Sequence, residues 1–136
     1  MIISSLLSLV GCSGHTPTMQ DMIGIWKSGD ESVLILKEDS SFIMENVKTP
    51  IFGNLSGQTV SGKGKWFLIK NQGCIDIRIK CKSYSINGIE TLRGYNSFFS
   101  IVGSGLIGNK PPWEIYTNTF WYEHDEKDYT VFKKVQ

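Results

Sequence analysis

The stretch from Gly24 to Phe42 reads Gly-Ile-Trp-Lys-Ser-Gly-Asp-Glu-Ser-Val-Leu-Ile-Leu-Lys-Glu-Asp-Ser-Ser-Phe. It contains a short strand with one tryptophan, a Gly-Asp turn, an apolar strand, a Glu-Asp-Ser turn and a third strand that opens at Phe42. This succession predicts the start of an antiparallel meander. Its opening signature recurs at Gly64-Lys65-Trp66. We therefore expect two indoles, each able to bury about 150–250 Å², to plug one small β-barrel or sandwich.

The rest of the chain continues this pattern. A helical turn capped by Thr18 is expected to cover one end of a barrel, and the diproline Pro111-Pro112 enforces extended backbone. The fold class is therefore all-β: a single antiparallel meander of about eight strands, closed as a small barrel or sandwich, with one short N-terminal helical turn. The predicted strands are 24–28, 32–37, 41–47, 64–70, 74–82, 84–92, 95–102, 113–121 and 129–134. Of these, 113–121 is either one long strand or two short ones, and Ser85-Ile86-Asn87-Gly88 is a candidate turn within 84–92.

Length and charge limit the classes of partner. A chain of 136 residues with 40% hydrophobic content suits one domain with one core, in which roughly two thirds of the unfolded surface becomes buried. Fourteen basic and thirteen acidic residues leave a net charge of +1. Such a balance provides no strong electrostatic field, so we expect no nucleic-acid partner.

The amino terminus carries a candidate membrane anchor. An uncharged apolar stretch at 2–10 ends in Leu9-Val10-Gly11-Cys12, which resembles the lipobox of bacterial lipoproteins at every position. The resemblance implies cleavage before Cys12, acylation of that cysteine with chains such as palmitate, and, with Ser13 behind it, an outer-membrane lipoprotein that faces the periplasm. The alternative is that 2–10 form a buried first strand or helix. On the lipoprotein interpretation the chain divides into a signal segment 1–11, a tether 12–20 and a β domain 21–136.

Two further cysteines lie on one predicted strand. From Ile75 to Lys82 apolar and charged residues alternate, as expected of a strand with two different faces. Cys74 and Cys81 stand seven positions apart on it, so their thiols point to opposite faces and lie roughly 23 Å apart at about 3.3 Å per residue. We predict two free thiols, with Cys81 buried, because a disulfide cannot bridge that distance.

The opening strand carries a family resemblance. Gly24-Ile25-Trp26 resembles the Gly-x-Trp of the lipocalin/calycin superfamily, whose first strand places this motif at the closed end of an eight-stranded barrel. A longer pattern is similar to that of small bacterial lipoproteins of unassigned function. These resemblances imply a fold and bring no chemistry. The positions of the longer pattern are Gly24–Trp26, Val33–Leu36, Asp39–Phe42, Gly62–Trp66 and Asp125–Lys133.

No catalytic or metal site is predicted. His15 and His124 are the two histidines of the chain, and neither forms a recognisable nucleophile-and-base arrangement. Carboxylates such as Asp76 and Glu114 remain candidate catalytic residues. The acidic segment 123–128 is better explained as a solvated hairpin turn than as a metal site, because adjacent residues of a turn point apart. We therefore expect a protein without enzyme activity or cofactor.

Candidate binding residues lie in two glycine-bearing loops, 48–61 and 103–112. Loops that contain apolar side chains either fold back on the body or contact a partner. The aromatic residues of the strands either fill the core or line a cavity for one small apolar ligand. The candidate contact residues are Ile51, Phe52, Leu55, Leu106, Ile107 and Trp113.

These features predict a lipid-anchored binding protein of the cell envelope that contacts a partner protein. Within that class, one possibility is an immunity protein that neutralises an envelope-acting bacterial toxin. The alternative from another class is a lipocalin-like carrier of a small apolar molecule. Neighbouring genes and release of a ligand on denaturation would separate these cases.

Overall fold

A computed structural model describes residues 16–29, 31–48, 59–71, 74–91, 94–104, 110–117 and 130–135. In chain order, its elements are α1 (Met19–Met22), β1 (Gly24–Lys27), β2 (Val33–Leu36), β3 (Ser41–Val47), β4 (Val60–Asn71), β5 (Cys74–Ile86), β6 (Ile89–Thr91), β7 (Tyr95–Ser104), β8 (Lys110–Tyr116) and β9 (Val131–Lys134). The described part of the chain contains no helix of the length and apolarity needed to cross a membrane.

The strands close into a barrel. Their order is β4-β3-β2-β1-β9-β8-β7-β5-β6, and an additional pairing of β4 with β5 joins the two sides of the sheet. Eight antiparallel strands therefore form a ring, and β6 is an extra strand that pairs with the end of β5. The prediction of an all-β meander of about eight strands is confirmed, and closure decides for the barrel over the sandwich.

The two ends of the barrel differ. At the first, which we call the helix end, β1 begins at Gly24, β9 ends at Lys134 and α1 packs with Met22 fully buried. At the second, the far end, β3 ends at Val47 opposite Val60 of β4. The predicted helical turn that covers one end is confirmed.

Inward-facing side chains form one continuous hydrophobic cluster. Trp26, Trp66, Phe42, Phe99 and Phe132 are each at most 1% exposed. The Nε1 of Trp26 donates to the carbonyl oxygen of Met22 at 2.8 Å, and that of Trp66 donates to Lys37 at 3.0 Å. Both indoles therefore satisfy their polar atom at the helix end, as buried tryptophans usually do. The remaining members are Met22, Leu34, Leu36, Met44, Val47, Val60, Ile77, Ile79, Cys81 and Ile115.

Strands β4 and β5 are longer than the sequence predicts. β4 begins at Val60 within the predicted loop, and β5 continues to Ile86 instead of ending near Lys82. An irregularity in the register between Lys63 and Gly64 makes this possible. Before this irregularity the odd-numbered residues of β5 point into the barrel, and after it the even-numbered residues do. Both Cys81 and Tyr84 therefore pack against the core.

Threonines tie the chain together at the far end. The carbonyl oxygen of Lys48, just after β3, accepts from Thr117 Oγ1 at 2.6 Å and from Thr130 Oγ1 at 3.1 Å. The backbone N–H of Lys48 donates to Thr130 Oγ1 at 2.9 Å. Because β3 lies far from β8 and β9 in the ring, the chain at Lys48 crosses this end of the barrel. Both threonines are buried, and their hydroxyls satisfy the backbone there.

The predicted turn between β2 and β3 is confirmed. Asp39 Oδ1 accepts from the backbone N–H of Ser41 at 2.9 Å and from its hydroxyl at 2.5 Å, and Ser40 adopts a left-handed φ of +69°. The Ser41 hydroxyl, followed by its backbone N–H, lowers the pKa of Asp39, with smaller effects from Lys65 and Lys37. This turn lies at the helix end, where the Ser40 carbonyl also accepts from the backbone of Trp66.

Candidate functional site

The predicted contact residues fall largely outside the described part of the chain. Ile51, Phe52 and Leu55 of the first loop, Leu106 and Ile107 of the second, and the predicted lipidation site Cys12 all lie outside it. The strand ends that flank the two loops, however, are described. Val47 and Val60 flank the first loop at the far end, whereas Ser104 and Lys110 flank the second at the helix end. The two loops therefore leave the barrel at opposite ends.

Trp113 is the one predicted contact residue whose position is described. It lies on β8, is partly buried and packs against the core cluster. One side of it borders a surface cleft of about 670 Å³ at the helix end, between α1 and the adjoining ends of β7 and β8. The cleft is lined by Gln20, Asp21, Trp26, Gly103, Ser104, Pro111, Pro112, Trp113, Glu114, Lys133 and Lys134.

Charged side chains of β8 and β9 form part of the wall of this helix-end cleft. Lys134 Nζ donates to the carbonyl oxygen of Asp21 at 2.8 Å and lies 5.9 Å from the ring centroid of Trp26. Lys133 Nζ lies 3.7 Å from a carboxylate oxygen of Glu114, and the Lys133 side chain is 76% exposed. Lys134 therefore fastens α1 to β9, while Lys133 is paired with Glu114 and keeps most of its side chain exposed to solvent, where a ligand can reach it.

The cleft has no activated nucleophile among its described residues. Ser104 Oγ donates to the carbonyl oxygen of Pro111 at 2.9 Å and lies 3.3 Å from that of Lys110. The hydroxyl therefore holds the ends of β7 and β8 together. An indole, two prolines and an exposed lysine suit binding of a side chain or short segment that combines apolar surface with a negative charge.

A second surface was missed by the sequence analysis. On the outer face of the barrel, Arg78 of β5 is the direct cross-strand partner of Phe67 on β4 and of Phe98 on β7. The two phenylalanines are 40% and 38% exposed. Alternation along each strand shows that these positions point outward, but nothing in the sequence shows that they are neighbours, because their register depends on closure of the sheet.

Cys81 is a buried free thiol, as predicted. Burial raises the pKa of this thiol from 9.0 to about 12, so it stays protonated at neutral pH and is a poor nucleophile. Cys74 begins the same strand, and its side chain is outside the described set. Within the described segments no three His, Cys, Asp or Glu residues are grouped so that they could hold a metal ion. The acidic segment 123–128 lies outside those segments.

Comparison of the chain with protein-family models, with curated proteins and with solved structures finds no match.

Proposed function

We propose that this chain is a lipid-anchored binding protein of the cell envelope, without catalytic activity, that contacts a partner protein at the helix-end cleft. The observation that carries the proposal is the position of Trp113, which borders a cleft beside the exposed Lys133 while the interior of the barrel is packed. Tryptophan at the edge of a concave site is a common anchor of protein interfaces.

The packed interior favours surface binding over the carrier alternative. Five large aromatic side chains and ten further inward-facing residues form one cluster, and the indole donors of Trp26 and Trp66 are bonded to backbone carbonyls. An eight-stranded barrel is just wide enough to be filled by its own side chains or to hold one small ligand. The inward-facing aromatic residues, which form one cluster, favour the first arrangement.

An anchor at Cys12 would hold the cleft near a membrane. The described chain begins at Thr16, immediately before α1 at the helix end. The residue steps from Cys12 to Thr16 can span at most about 14 Å. Acylation of Cys12 would therefore keep the helix end close to the lipid headgroups, where a membrane-associated partner is within reach. A toxin that acts on the envelope is one such partner.

Capture from envelope extracts tests the partner contact. We expect the wild-type chain to retain a specific protein and Lys133→Glu to weaken its binding at least about tenfold, since like charges brought together at an interface cost more than the roughly 1.4 kcal/mol to which tenfold corresponds. Lys70→Glu is the matched control, because Lys70 is an exposed lysine on β4, carries the same charge and lies outside the cleft. Equal capture by wild type and Lys133→Glu would contradict the proposal.

The anchor is tested separately in cells. We expect the mature protein to take up labelled palmitate and to begin at Cys12, and Cys12→Ser to abolish both. Recovery of the protein with Met1 intact and without acyl mass would refute the anchor but leave the cleft proposal standing. A gene for a toxin beside the gene for this chain, together with binding of its product, would identify the immunity role.

A further inference from the structure

The outer face of β4, β5 and the adjoining turn gathers positive charge. Five lysines surround one surface depression of about 450 Å³ at Gly64, and Arg78 stands beside it on β5 between Phe67 and Phe98. We call these residues the basic face: Lys37, Lys63, Lys65, Lys80, Lys82, Arg78, Phe67 and Phe98. We infer that the basic face binds an anionic lipid surface, with phosphate headgroups at the lysines and the two phenyl rings at the lipid interface.

The charge is segregated even though the whole chain is nearly neutral. Along β4 and β5 the described residues include six basic side chains and one acidic side chain, Asp76. Asp39 also lies near Lys65 and Lys37, and its Oδ1 accepts from Ser41, whereas Glu45 and Glu90 border Lys63 at a neighbouring depression. The basic face therefore presents a positive potential to solvent that the net charge of +1 conceals.

Two of these lysines lie opposite each other in the sheet, an arrangement in which their charges repel. Lys65 and Lys80 are direct cross-strand partners, and like charges at such positions destabilise a sheet. A bound anion would relieve the repulsion. The compensation within the chain is partial, since Asp39 lies near Lys65 and the Lys80 ammonium lies over the Phe67 ring. Departures from a local rule are expected at functional sites.

Arg78 offers a further donor. Its Nε is buried and has no hydrogen-bond partner within the described part of the chain. The guanidinium carbon lies 5.9 Å from the ring centroid of Phe98. An ionised phosphate oxygen is the acceptor that such a donor binds most strongly.

The composition favours lipid over protein or nucleic acid. Lysine is depleted in the cores of protein interfaces, yet it dominates here. Bases of single-stranded nucleic acid stack on open aromatic faces, whereas Lys80 Nζ lies 5.8 Å from the ring centroid of Phe67 and Arg78 occupies the corresponding place at Phe98. Lysines around exposed phenylalanines are typical of surfaces that lie on anionic membranes.

Vesicle sedimentation tests this inference. The full-length chain with Cys12→Ser, which cannot be acylated at that site, is mixed with vesicles of phosphatidylglycerol and phosphatidylcholine or of phosphatidylcholine alone. We expect at least about tenfold stronger binding to the anionic vesicles, weakened by added salt. Lys65→Gln with Lys80→Gln should reduce it about twenty-five-fold, since each basic residue near the surface contributes about fivefold.

Matched variants distinguish binding through the basic face from binding that depends on net charge alone. Lys27→Gln with Lys110→Gln removes the same charge from exposed lysines on β1 and β8, outside the basic face, and should leave binding within about twofold. Phe67→Ser should weaken binding to the anionic vesicles at a temperature at which circular dichroism shows that the variant is folded. Equal losses for both lysine pairs would overturn the inference. So would tighter binding to a polyglutamate peptide or to a single-stranded oligonucleotide than to the vesicles.

Discussion

At the residue scale, Gly64 allows β4 and β5 to approach each other at the register irregularity. An added Cβ at Gly64 would overlap the backbone carbonyl oxygen of Lys80, and it would lie 3.0 Å from the backbone nitrogen of Lys82. Both neighbours are backbone atoms of a paired strand, so they cannot move aside by a change of rotamer.

We therefore expect Gly64→Ala to lower the free energy of unfolding by at least about 2 kcal/mol, the range typical of overpacked sites. Urea denaturation measures the change. Gly29→Ala is the control, because an added Cβ there meets nothing within 4 Å and should change the stability by less than about 0.5 kcal/mol. If the two variants proved equally stable, the close approach of β4 to β5 at Gly64 would be wrong.

Because Cys81 is buried, the stability of the protein should depend on pH in the alkaline range. The folded thiol has a pKa of about 12 against 9.0 when exposed. Below pH 9.0 the thiol is protonated in both the folded and the unfolded state, and its contribution to the free energy of unfolding is fully present. Between these values the unfolded thiol ionises and the folded one does not, so stability falls as pH rises, by up to about 1.4 kcal/mol per unit.

The measurement is the unfolding free energy of wild type and Cys81→Ala at about pH 8 and about pH 10, where the wild type should lose about 1 kcal/mol more than the variant. Cys81 should also resist iodoacetamide in the folded protein and react after unfolding, as mass spectrometry of the Cys81 peptide would show. Rapid labelling of the native thiol would contradict its burial.

At the scale of elements, α1 is short but closes the helix end. The backbone N–H of Thr18 donates to Asp21 Oδ2 at 2.8 Å, and the N–H of Asp21 donates to Thr18 Oγ1 at 3.3 Å, which forms a capping box. The helix then places the Met22 carbonyl within reach of the Trp26 indole. A helix of this length is unstable alone, so its caps and its packing decide whether it forms.

Thr18→Ala should therefore lower stability by about 1 kcal/mol and the melting temperature by about 4 °C. Circular dichroism at rising temperature measures the shift. Thr16→Ala is the matched control, because Thr16 is exposed and precedes the capping residue, and it should melt with the wild type. A full-sized shift for Thr16→Ala would show that the loss reflects threonine content and not the cap.

Element boundaries also show where sequence reasoning stops. The sequence predicts a loop over 48–61 and a strand from residue 64, but β4 begins at Val60 because pairing with β3 on one side and β5 on the other satisfies its backbone. The predicted turn at Asn87-Gly88 is present and separates β5 from β6. Turns depend on the residue types at a few neighbouring positions and could be predicted from them, whereas strand length depends on partner strands that are distant in the sequence.

At the scale of the whole molecule, closure of the sheet places the basic face and the helix-end cleft on different sides of the barrel, although the net charge of the chain is small. Around the ring, the basic face lies on β4 and β5, and the helix-end cleft lies near β8 and β9. The two proposed contacts are therefore on different parts of the surface. On the proposed anchoring through Cys12, the barrel would touch lipid with the basic face and a protein with the cleft. The vesicle and capture experiments test the two contacts separately.

The sequence by itself determined the fold class, the Thr18 cap, the turns, the buried Trp26 and Trp66 and the free Cys81. Each of these follows from residue type and short-range alternation, which act over a few neighbouring positions. Only the tertiary structure decided that Phe67, Arg78 and Phe98 are adjacent, that Lys65 opposes Lys80, and that the two apolar loops leave at opposite ends. The physical reason is that alternation fixes which face a side chain occupies, whereas its neighbours depend on a register set by closing the ring.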